Sequence, residues 1–196
     1  METRIARSQA LNDWINAKLD GLKTPSNTRP LLSASCMDLV FEHHRAVGLL
    51  VANGLVGSAF ALIRVVFESY IRGLWIDLCA NEAQLKKFEN DKLDVSFGKM
   101  IGAVEKTDGF DSQVLSQVKS CWWSPMNSYT HSGFVAVSRR INRDEISAVY
   151  DDSEILEALN FVDTISQLAL GYVALLAHDQ TLADAVLKKM GGSGSE

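Results

Sequence analysis

Arg64, Glu68 and Arg72 follow one another at intervals of four residues, which at 100° per residue sets three charges on one narrow stripe of a helix. The surrounding segment, Ser58 to Ala80, is apolar around nearly its whole circumference, with Phe67, Ile71 and Trp75 beside the stripe. Charges in such surroundings persist when they are paired or functional. Two guanidinium groups, one held by Glu68, could therefore face a phosphate or a carboxylate. The structural alternative is an intrahelical ion-pair ladder, which contributes only a few tenths of a kcal/mol per pair. If the pair is buried, Glu68→Ala should cost on the order of 3–5 kcal/mol.

The second group of reactive side chains lies between Trp122 and Gly133 and is followed by the basic run Ser138 to Arg143. Pro125 and Gly133 predict a structured loop here. Of the four histidines, His131 alone sits among hydroxyl and amide groups, which makes it the best general acid or base. Tyr129 and Trp123 could stack a base, and Asn127, Arg139 and Arg140 could bind a ligand. The alternative is that the tryptophans close the core, His131 caps a helix, and the arginines pair with Asp144 and Glu145. If the loop packs beside the charged stripe, His131 with Arg64 or Arg72 supplies a proton-transfer group and a charge clamp. Metal-independent RNA cleavage needs both, because a base must take the 2′-hydroxyl proton while cations stabilise the crowded phosphorane.

The remaining motifs narrow the field. His43 shares a helical face with Leu32, Cys36, Leu39, Val47 and Leu50 and reads as a core histidine, with His44 pointing away. There is no Glu-x-x-His, no H-E-x-x-H, no G-x-S-x-G, no Walker loop and no G-x-G-x-x-G, so neither a metal site nor a cofactor is expected. Cys36, Cys79 and Cys121 are widely spaced and odd in number, which fits a reducing cytoplasm rather than a disulfide framework.

The elements that must position these groups are helical. Apolar spacings of three and four dominate, and a chain of 196 residues with 47% hydrophobic and 22% charged residues is expected to form one all-α domain over residues 1–190, a single bundle of six to eight helices. Helices are predicted at Thr3–Leu19, Leu31–Val51, Gly57–Ala80, Glu82–Asn90, Val95–Lys106, Ser112–Ser120, Phe134–Ile141 and Ser153–His178, the last started by Asp151-Asp152-Ser153-Glu154 and belonging in the bundle centre or a subunit interface. Residues 191–196, GGSGSE, read as a flexible linker or tag scar. The uncharged stretch Ala46–Ile63 is broken by Asn53-Gly54 and flanked by Arg45 and Arg64, so two helices joined by a tight turn are expected rather than a membrane span. The net charge of −5 requires any nucleic acid contact to use a local basic patch.

The run Arg64-x3-Glu68-x3-Arg72-Gly73-Leu74-Trp75, with Tyr129-Thr130-His131-Ser132-Gly133 and Arg139-Arg140 later, resembles uncharacterised bacterial helical families of the HEPN-like superfamily over about Leu31 to His178. The resemblance implies a helical bundle that dimerises and a ribonuclease of the toxin–antitoxin or antiphage kind. That superfamily carries its catalytic Arg and His as R-x(4–6)-H on one helix, a spacing absent here. Either the site is composite, from Arg64, Arg72 and His131 with Glu68 orienting them, or the fold is kept for binding a protein partner or an anionic ligand.

Overall fold

The computed structural model describes residues 1–142 and 145–192 and is all-α. Its elements, in chain order, are α1 (Glu2–Leu19), α2 (Thr28–Ala52), α3 (Val56–Leu78), α4 (Glu82–Glu89), α5 (Phe97–Val104), α6 (Val114–Thr130), α7 (Phe134–Ser138), β1 (Ile141–Asn142), β2 (Glu145–Ile146), α8 (Asp152–Leu176) and α9 (Gln180–Gly192). The described residues thus form nine helices rather than six to eight, with a two-stranded antiparallel ribbon pairing Ile141 with Ile146.

The centre of the bundle is α3, which packs on α2, α5, α6 and α8. Asn53-Gly54 makes the expected turn between α2 and α3. Gly54 adopts a φ of 72°, and the amides of Leu55 and Gly54 return to the carbonyls of Leu50 and Val51 at 2.8 and 3.0 Å, a Schellman closure that suits glycine. Gly73 of α3 packs tightly against α2. A Cβ there would lie 2.7 Å from the end of Met37 and 3.1 Å from the Ser33 carbonyl, and Ser33 Oγ donates to the Gly73 carbonyl at 2.8 Å.

The long helix α8 starts as its sequence indicates, with the Asp151 amide donating to the Glu154 carboxylate at 3.1 Å. By length and composition α8 could cross a membrane, yet most of its apolar window is buried against its neighbours, which makes it a core helix. It ends at Leu176, where His178 turns left-handed with a φ of 55°. Asp179 then caps a helix that the sequence reading did not contain, α9, through the Leu182 amide at 2.9 Å. Leu182 and Val186, one turn apart, bury α9 on α8, and Gly191 and Gly192 close that helix instead of opening a linker; residues 193–196 lie outside the described residues.

Two further expectations are corrected. α6 continues through Pro125 to Thr130, so Trp122 to Thr130 is helix and not loop. The proline costs one backbone hydrogen bond, while apolar positions Leu115, Val118, Trp122, Met126 and Tyr129 continue the helical pattern across it. On α2 the buried set is Ser33, Cys36, Met37, Val40, Phe41, His44, Val47, Gly48 and Val51. The helix is therefore turned by one residue relative to the reading that placed His43 inside, and His44 is the core histidine.

His44 serves a buried junction. The Asp163 carboxylate of α8 accepts from His44 Nε2 at 2.7 Å, Ser8 Oγ at 2.6 Å and Arg4 Nη2 at 2.6 Å. Burial pushes the acidity of Asp163 toward the neutral form, but the hydrogen bonds from His44 and Ser8, the His44 charge and Arg4 outweigh it and hold its pKa below the ordinary value. Since α1 buries only Ser8, Leu11 and Ile15, this carboxylate is a principal tie between α1 and the bundle.

Two outcomes are expected in denaturant unfolding. Gly73→Val, which forces α2 and α3 apart, should cost about 1–3 kcal/mol with helical content retained. Asp163→Ala should cost about 3–5 kcal/mol by stranding buried donors. Because the folded-state pKa of Asp163 is depressed, the contribution of its charge is complete above the unfolded carboxylate value and is lost as pH falls through the lowered one. The Asp163→Ala protein should therefore show a flatter stability profile on the acid side.

Candidate functional site

The charged stripe of α3 meets the C-terminal end of α6. Arg64 donates from Nε and Nη2 to Glu68 Oε1 at 3.2 and 2.9 Å, and its Nη1 lies 2.7 Å from His131 Nε2. A guanidinium only donates, so Nε2 accepts and the ring proton sits on Nδ1. The Arg64 Cζ stands 4.7 Å from the centroid of the Trp123 ring, which is itself stacked on Phe97 of α5 at 4.6 Å and 16°. Lys119 Nζ approaches the same indole at 5.9 Å. His131, Arg64, Glu68 and Trp123 thus form one group, brought together by tertiary packing across 67 positions of sequence.

Local chemistry seats the histidine. His131 is the C-cap of α6, Ser132 follows in the left-handed region at φ 53°, and the Gly133 amide returns to the Ser128 carbonyl at 2.7 Å. Gly133 is required by space, since a Cβ would lie 2.6 Å from Ser128 Oγ and 3.1 Å from Ser128 Cα. Thr130 Oγ1 reaches the Ala61 carbonyl of α3 at 3.3 Å, fixing the end of α6 beside Arg64. The helix C-terminus also favours positive charge at this place.

The other expected site residues separate from this group. Arg72 is two turns along α3 and has no hydrogen bond or ion pair among the described residues. Its charge acts on Cys36, whose thiol burial pushes up to about 11 against the pull of Arg72. Asn127 Oδ1 is buried without a hydrogen-bond partner among the described residues. Tyr129 stands edge-to-face with Phe60 at 5.1 Å; burial raises its phenol pKa, opposed by the charge and hydrogen bond of Arg139. Arg139 pairs with Glu154 of α8 and not with Glu145; Arg143 and Asp144 lie outside the described residues. Arg140 packs with Tyr150 over Gly57, in the first turn of α3 and about three turns before Glu68. Sequence reading missed Phe97 and Lys119 around Trp123. It took Glu154 only as a helix-start residue, although an acid one turn inside a helix is equally placed to meet an arginine from a preceding segment.

The seam is open rather than sealed. The Arg64 and Glu68 side chains keep 19% and 23% of their exposure, and His131 is exposed. No cluster of three or more His, Cys, Asp or Glu side chains that could hold a metal occurs among the described residues. The geometry combines a cation fixed by a carboxylate and an aromatic face with an accessible imidazole, a set suited to holding an anion and moving a proton.

Fold and site together define an all-helical bundle with a composite Arg–Glu–His–Trp group. The chain belongs to a family of unknown function (DUF6988), whose model matches residues 37–191, from the middle of α2 through α9 and including the whole group. No curated protein and no solved structure matches the chain.

Because the Arg64 and Glu68 side chains keep 19% and 23% of their exposure, Glu68→Ala should cost about 1–2 kcal/mol in denaturant unfolding, less than a sealed pair would. A loss above about 3 kcal/mol would mean that the pair is screened from water in solution.

Proposed function

We propose that this protein is a cytoplasmic, RNA-directed enzyme of the toxin or antiphage-defence kind, a HEPN-like metal-independent endoribonuclease whose site is composite. The observation that carries this reading is the 2.7 Å contact of Arg64 with the exposed His131. Glu68 engages Nε and Nη2 of Arg64 and leaves Nη1 as the group directed at His131. A phosphate that draws Nη1 away would release the Nε2 lone pair of His131 to take the proton of the adjacent 2′-hydroxyl. Arg64, backed by Trp123, would then stabilise the phosphorane, and the P–O5′ bond would break as the proton held by His131 passes to the departing 5′-oxygen, leaving a 2′,3′-cyclic phosphate. Glu68 acts as a positioning residue, and Arg72 would meet RNA further along the stripe. The free thiols of Cys36, Cys79 and Cys121 suit a reducing compartment.

A non-catalytic role in binding a protein partner has its own supporting observation. Phe134, Val137, Ile141 and Ile146 project from α7 and the ribbon with 79, 48, 65 and 95% of their surface exposed. A homodimer of the kind the resemblance implies would use the same strip.

The readings part in one experiment. Purified protein and its His131→Ala variant are incubated with single-stranded RNA in EDTA, and expression toxicity is scored in parallel. His131→Ala should keep its Tm and lose cleavage by 100-fold or more. Full cleavage or toxicity in the folded variant would leave the binding role as the better account.

A further inference from the structure

Between α1 and α2, beside the Asp163 junction, a pocket of about 280 Å³ opens to solvent, far more than the roughly 30 Å³ one water fills. His44 lines it and is 1% exposed. The Nε2 edge of this ring donates to the Asp163 carboxylate at 2.7 Å, so Nε2 carries a proton and Nδ1 is the remaining valence of the imidazole. Nδ1 is buried and has no hydrogen-bond partner among the described residues. A buried polar atom left unpaired is costly, and it calls for a partner.

Gly48 is the reason the ring is uncovered. A helical side chain leans over the turn before its own Cα, so a residue at position 48 would lie on His44. Gly48 is itself buried, yet a Cβ there would meet nothing within 4 Å. It differs in this from Gly73, where a Cβ would lie 2.7 Å from Met37. A glycine inside a helix weakens it, and here the packing does not demand one. What Gly48 supplies is a recess beside the imidazole.

The rim sets the chemistry of the ligand. Gln9, Asn12 and Asp13 of α1 and Arg45 of α2 line the pocket, and none of their side chains has a hydrogen bond or ion pair among the described residues. Asp13 is the only other acid, histidine or cysteine in this lining, so a metal ion would lack a ligand set. An anion meets Asp13 and a cation meets Arg45, which favours a neutral guest. The two amides both donate and accept, Asp13 accepts, and Arg45 donates. A hydroxyl group also does both, and it serves Nδ1 whether that atom holds a lone pair or a proton.

We propose that this pocket binds a neutral polyhydroxylated ligand of the monosaccharide kind, with one hydroxyl on His44 Nδ1 and its neighbours on Asn12 and Asp13. The site is separate from the Arg64–His131 group and does not rest on the RNA-directed reading. Asp163 remains the tie that holds α1, and it orients the ring from its other edge.

The full chain, labelled with ¹⁵N, is titrated with D-glucose, D-ribose and myo-inositol while the His44 ring nitrogens are followed by NMR. Tetrahydropyran, a ring without hydroxyls, is the control. Gly48→Leu, Gly48→Ala and Asn12→Ala are titrated alongside, each checked for native helicity. At least one polyol should shift the Nδ1 resonance saturably, with tetrahydropyran without effect. Gly48→Leu should abolish the shift by covering the ring, and Asn12→Ala should weaken binding about tenfold. Gly48→Ala, for which there is room, gives the same test in a smaller step if the leucine variant loses its helicity. No saturable Nδ1 shift with any of the three polyols, an equal shift with tetrahydropyran, or native binding by the folded Gly48 variants would overturn the site.

Discussion

Arg64 leaves a helix that the core surrounds on nearly every side, so its charge needs partners within reach of that helix and at the place where packing ends. Glu68, one turn on, supplies the counter-charge, and Trp123 covers the guanidinium face. What remains open is the edge that meets His131. The orientation of α6 on α3 follows from these contacts together with the Thr130 tie to Ala61 and the Phe60–Tyr129 pair. A polar side chain on a core helix thus decides where the surface breaks, and at Arg64 that break meets an exposed imidazole.

A second polar junction works differently. Asp163 is enclosed, accepts three donors from two other helices, and presents no open edge at its carboxylate. Its function is structural: it fixes α1, which lies outside the family-matched residues and adds only Leu11 and Ile15 to the buried core, onto the rest of the bundle. The contrast between the two junctions separates a tie from a candidate site. Both use paired charges, but only the Arg64 group leaves an imidazole in solvent.

Much of the architecture was legible because it follows from local rules. Asn53-Gly54 with its left-handed glycine, the acidic start of α8 and the three-four spacing of Leu, Val and Phe are short-range signals that neighbours do not overturn. The errors have physical causes. Pro125 removes one hydrogen bond, and packing of Trp122, Met126 and Tyr129 outweighs it. His43 and His44 are adjacent on a helix apolar over much of its surface, where sequence spacing alone determines phase poorly and one residue reverses which ring is inside. α9 follows α8 so closely that only the left-handed His178 divides them.

For the site, sequence alone determined which residues share a turn: the four-residue spacing of Arg64, Glu68 and Arg72 sets them on one stripe, because helix geometry fixes that relation in any fold. It also placed His131 among hydrogen-bonding groups, although it took the segment before it for a loop rather than the last turns of a helix. Only the tertiary structure decided that His131 reaches Arg64, that Arg72 comes within electrostatic reach of Cys36, and that Arg139 pairs with Glu154. Those distances depend on how α6 and α8 cross α3, and such crossings are set by the shapes of many buried side chains acting together rather than by any short run of sequence.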